Sequence, residues 1–97
     1  MARLHQLNRF HYLAHCQDEM LLSIAEGDAL VLIEEAVLKV TQKDTVLNQA
    51  TQLSLAVYLL EKDALAHGVS ASNTSYDLIT TEQWLQLTAE YDQHMAW

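Results

Sequence analysis

Residues 29–33 read ALVLI, five apolar side chains with no polar residue alternating between them. A strand that is apolar on both sides must be covered on both faces. That is the position of a central strand in a parallel sheet, where crossover helices pack above and below. Residues 53–59, LSLAVYL, repeat the pattern. Parallel neighbours need a long connection, usually helical, so the residues between and around these two strands have to supply helices.

Upstream, RLHQL (3–7) reads as a strand and 11–25 as a helix. Leu13, Cys16, Met20 and Ile24 fall on one face of a 3.6-residue repeat, with His11, His15 and Glu19 opposite. Gly27 is placed to cap that helix. Between the two apolar strands a second helix is expected within 36–50, broken near Thr41 to Asp44. Downstream, EKDALAH forms a short helix ending at Gly68, GVSASNTSYD a polar connector, and DLIT (77–80) a short fourth strand. Thr80 and Gln83 have the spacing of a capping box, opening a last helix over 81–93. Its inner stripe holds Trp84, Leu87 or Thr88, and Tyr91. The expectation is one α/β domain over 1–97, a small three-layer fold of about four parallel strands alternating with helices, with right-handed crossovers.

The chain carries 13 acidic and 5 basic residues, a net charge of −8, and its cations (Arg3, Arg9, Lys39, Lys43, Lys62) are scattered. Phosphate contacts need clustered cations, so direct nucleic-acid binding is not expected, nor is attraction to an anionic membrane surface. A single cysteine allows no internal disulfide, and the first residues form no apolar signal segment. The expected location is cytoplasmic. Apolar residues make up 51% of the chain and seventeen residues are leucine. A domain of this size has too little interior for that surplus, which points to burial against another chain.

No group primed for chemistry emerges. In HYLAHC (11–16), His11 and His15 would share a helical face, but two ligands do not make a zinc site. Cys16 lies on the face of Leu13 and Met20 beside Asp18 and Glu19. Burial and acidic neighbours both disfavour a thiolate, so Cys16 reads as core-filling. Glu34 and Glu35 follow the buried strand where ligands often bind, yet acidic residues also favour helix N-termini. Two glycines forty-one residues apart cannot build a phosphate-cradling loop. Trp84, Tyr91, Met95 and Trp97 are expected in the core or at a protein interface, where aromatic residues are enriched. Trp97 ends the sequence on a large apolar side chain, so something must bury it: a subunit contact or the edge of the sheet.

Taken together, Leu4, His5, Leu7 and Asn8 (LH.LN), EGDALVLIEEAV, VYLLEKDALAHGV and a final W..LT..YDQHMAW resemble the TusB/DsrH family across nearly the full length. Asp63, Leu65, Ala66 and Gly68 (D.LA.G) and the terminal AW carry most of the likeness. The resemblance implies a small α/β subunit without cofactor in a cytoplasmic sulfur-relay complex. Such subunits join TusC-like and TusD-like subunits as a dimer of heterotrimers. That complex takes persulfide sulfur from TusA and passes it through TusE toward 2-thiolation of the tRNA wobble uridine, using a cysteine on the TusD-type subunit. It also leaves open a DsrH-type role in dissimilatory sulfur oxidation, or persulfide carried on Cys16. Some DsrH-type members have a helix 1 cysteine where Met20 stands here, and Ala36 replaces an expected glycine.

Overall fold

The computed structural model describes residues 2–97. Strands β1 (Arg3–Leu7), β2 (Ala29–Leu32), β3 (Ala56–Leu60), β4 (Asp77–Ile79) and β5 (Gln93–Ala96) form one sheet in the order β4-β3-β2-β1-β5. All four pairings are parallel. Every residue of β2 is buried, as the ALVLI run requires.

The sheet has one strand more than the four expected. The last helix, α4 (Thr81–Glu90), stops three residues early, at Tyr91 with extended backbone (φ −104°, ψ 133°). Residues 93–96 then run beside β1, from Arg3↔Gln93 to Gln6↔Ala96. An edge strand is half solvated and carries no apolar run. QHMA alternates half-buried and exposed positions, a signal too weak to separate it from the preceding helix.

Strand order dictates the layers. Three successive steps from β1 to β4 move the same way across the sheet, so right-handed crossovers put their helices on one face. Those elements are α1 (Ala14–Ser23), a 3-10 helix (Glu34–Thr41) followed by α2 (Thr45–Gln52), and α3 (Glu61–Ala66). The return from β4 to β5 runs in the opposite sense and sends α4 to the other face. The cores follow: Leu7, Leu30, Leu32, Val57 and Leu59 pack with Met20, Val37, Leu47 and Ala64, whereas Leu4, Ala29, Val31 and Ile79 meet Trp84 and Leu87.

Local differences from the sequence reading have local causes. α1 starts at Ala14, so His11 precedes it and shares no helical face with His15. Leu13 is 72% exposed, and only Met20 and Ile24 of the expected stripe are fully buried. The second helix is broken as expected, because the Asp44 carboxylate accepts the Leu47 N–H (3.1 Å) and caps α2 anew. Strand β3 begins three residues later than expected. α2 ends in a Schellman closure, with Leu55 N–H to Ala50 O (2.9 Å) and Ser54 N–H to Thr51 O (3.0 Å), and Ser54 at φ +57°. The same closure follows α3, where Val69 and Gly68 bond Ala64 O and Leu65 O and Gly68 has φ +78°. Glycine announces the second stop; serine conceals the first. Gly27 stands in the turn Ala25–Asp28 at φ +88°, beyond the end of α1 rather than at its cap. Thr80 and Gln83 close the expected capping box.

Candidate functional site

β1 places His5 at 0% exposure, flanked in register by Leu30 and Met95. Its Nε2 lies 2.8 Å from Asp28 Oδ2, and Asp28 is itself 4% exposed. Asp28 also accepts the backbone N–H groups of Arg3 (2.9 Å) and Ala25 (3.1 Å), which aim it at the imidazole. On the other side, the Trp97 indole Nε1–H donates to His5 Nδ1 at 3.1 Å. The two rings are within 16° of parallel, and the Trp97 backbone N–H bonds Gln6 O at 2.9 Å. An indole nitrogen can only donate. Nδ1 is therefore the acceptor, and the neutral imidazole carries its proton on Nε2, directed at Asp28. Burial by itself would raise the Asp28 carboxyl, but the His5, Arg3 and Ala25 hydrogen bonds, joined by the His5 charge when that ring is protonated, outweigh it and hold the group below its ordinary value. Of the two sites expected to bury Trp97, the structure shows the sheet edge.

Beyond Trp97, at the carboxyl ends of β1 and β5, lies a groove of about 280 Å³ lined by Arg9, Tyr12, Leu13, His15, Cys16 and Trp97. Parallel sheets take ligands at this end. One wall is held by a buried lysine. Lys39, 2% exposed, donates to Phe10 O (3.0 Å) and to Asp44 (3.1 Å), and its ammonium sits 5.2 Å from the Tyr12 ring centre. The Tyr12 hydroxyl accepts the Asn8 and Arg9 N–H groups. Burial raises the Tyr12 phenol, with those two hydrogen bonds acting the other way.

The residues singled out from sequence are divided. Cys16 is half-buried in the groove rather than packed in the core. Trp97 and Met95 lie on the α1 side, the latter beside His5. Trp84 and Tyr91 pack on the opposite face, and the buried Trp84 indole N–H has no acceptor among the described residues. Glu34 and Glu35 are exposed in the first turn of the 3-10 helix. Glu34 adopts φ +52°, and its N–H donates to Asp63 (2.7 Å). His5 and Asp28 had entered the sequence reading only as letters of the family pattern. A polar residue inside a buried strand was the available signal.

Residues 12–94 match the family model described as DsrH like protein. Protein TusB of Pectobacterium parmentieri is 32% identical over 95 residues, covering 97% of this chain and 99% of that protein. The chain belongs to the TusB/DsrH family. Among other TusB/DsrH relatives, Protein TusB of Shigella sonnei is 29% identical over 96 residues, covering 97% of this chain and 99% of its own. The crystal structure of the ychN protein from E. coli superposes with a TM-score of 0.74 at 15% identity, covering 99% and 97% of the two chains, a likeness of fold alone. Among the described residues, no helix is long and apolar enough to cross a membrane.

Proposed function

We propose that this TusB/DsrH protein is a non-catalytic, cytoplasmic subunit of a TusBCD-type sulfur-relay complex required for 2-thiolation of the tRNA wobble uridine. The match to TusB proteins over nearly the whole of both chains carries the reading. Two features of the structure support it. The buried His–Asp pair, the arrangement best suited to act as a base, has its second nitrogen occupied by Trp97, and Cys16 bonds no histidine among the described residues. Exposed Leu13, Leu22, Leu65 and Leu85 offer apolar contacts to other chains. TusC-like and TusD-like subunits are the partners in this reading, with TusA delivering sulfur and TusE receiving it, and with tRNA held elsewhere.

Co-purification should recover TusC-like and TusD-like chains, and a deletion strain should lose wobble-uridine thiolation. Normal thiolation in that strain ends the proposal. Removal of residues 95–97 should weaken assembly, because Met95, Ala96 and Trp97 anchor the sheet edge.

A second reading, persulfide carried on Cys16, draws on the groove it shares with His15 and with Arg9, a cation of the kind that favours a thiolate. A sulfur mass increment on this chain after exposure to a persulfide donor would support it; full relay activity in Cys16→Ser excludes it. A DsrH-type role in sulfur oxidation uses the same assembly, and sulfite-reductase genes nearby would mark it.

A further inference from the structure

The bond between His5 and Trp97 survives in only one protonation state. Nδ1 of His5 accepts the indole N–H at 3.1 Å, while Nε2 is committed to Asp28 at 2.8 Å. A proton added to the ring has only Nδ1 to occupy, and an imidazolium is a donor at both nitrogens. Two N–H groups would then face each other across 3.1 Å, and Trp97 would have to leave. Asp28 keeps a counter-charge against the ring in either state, so the imidazolium is not left unpaired.

We propose that His5 is a proton-operated latch on β5: neutral, it holds Trp97 in place as one wall of the groove; protonated, it expels the indole and widens the groove beside Cys16.

The surroundings define what moves. From the turn before β2 comes Asp28, and from β1 itself Arg3, whose side chain is turned to Gln93 (2.9 Å). From the lead-in to α1 and from α1 come Arg9, Tyr12, His15 and Cys16, which line the groove across Trp97. Lys39 beneath Tyr12 is already paired with Asp44. His94 of β5 shares the register position of Leu4, on the opposite face, and bonds Thr88 O at 2.7 Å. Asp28 is thus the group that touches the ring directly, and Trp97 is the displaceable one. β5 is an edge strand paired on one side to β1, so loss of the Trp97 anchor can loosen it without opening β2 or β3.

The test is a pH titration of the full chain, labelled with ¹⁵N, followed by NMR. At neutral pH the His5 ring should show the Nε2–H tautomer and the Trp97 indole N–H a hydrogen-bonded signal. On acidification the His5 nitrogens and the Trp97 indole should move with one midpoint while the Val31 and Val57 amides stay in place. Protection of the β5 amides, corrected for intrinsic exchange, should fall about fivefold or more, the factor carried by one hydrogen bond. A proton on Nδ1 at neutral pH, or an indole signal that changes only with global unfolding, overturns the latch. In Trp97→Phe, which lacks the donor, β5 protection should already be low at neutral pH and should lose its dependence on His5. Retention of the unsubstituted protein's pH dependence in that variant also overturns it.

Discussion

The sheet face bearing Leu7, Leu30, Leu32, Val57 and Leu59 lies under α1, α2, α3 and the 3-10 helix, whereas the face bearing Leu4, Ala29, Val31 and Ile79 lies under α4 alone. Geometry makes the second cover incomplete. A ten-residue helix is about 15 Å long, and five strands spaced about 4.8 Å apart span about 19 Å between outer axes. The lone helix leaves Ile33, Tyr58 and Leu87 half-buried, Leu85 62% exposed and the Trp84 indole N–H without an acceptor. The first face is a finished core. The second resembles the kind of surface that a further chain completes.

The contrast breaks if the two faces respond alike to truncation. Leu32→Ala, on the covered face at 0% exposure, should cost about 3–5 kcal/mol in urea unfolding. Leu87→Ala, on the thin face, should cost about 1 kcal/mol, because its side chain is only partly removed from water. Equal losses would mean that α4 covers as well as the other helices do. Next in size is Lys39→Met, which keeps the apolar stem but strands Phe10 O and Asp44. Breaking a buried pair of this kind should cost about 3 kcal/mol, and chemical denaturation would also reveal any softening of the groove wall. Ser54→Gly should raise stability by about 1 kcal/mol, since the φ of +57° suits glycine and penalises a side chain; a loss would show that the serine side chain matters more than its backbone strain.

The smallest expected effect is on the slope of the acid limb set by Asp28. Folded Asp28 releases its proton more readily than it does in the unfolded chain. The resulting stabilisation is complete above the ordinary carboxyl value of 3.8 and drains away as the pH falls through the lower folded value. Asp28→Asn should flatten that part of the stability profile, measured by denaturation at stepped pH. An unchanged slope would place the acid sensitivity elsewhere and sharpen the comparison toward α4 and its acidic residues.

The buried parallel strands and the capping box were legible because each has a local cause. An apolar run must be covered on both faces, and Thr80 with Gln83 satisfies backbone N–H groups within one turn. Gly68 marks the stop of α3, but Ser54 makes the same left-handed turn without a glycine to signal it, so the apolar run by itself puts the start of β3 too early. Periodicity alone makes Cys16 core-filling, because it gives a helix's faces and not how far a neighbouring strand leaves one of them open.

From its own letters the chain established an α/β domain with central parallel strands, because apolar runs and caps act between near neighbours. Only the tertiary structure decided that QHMA is an edge strand and that Asp28, His5 and Trp97 meet. The bonded atoms of His5 and Trp97 lie 92 residues apart in sequence, and a contact closed by the crossover of α4 leaves no periodic trace in either segment it joins.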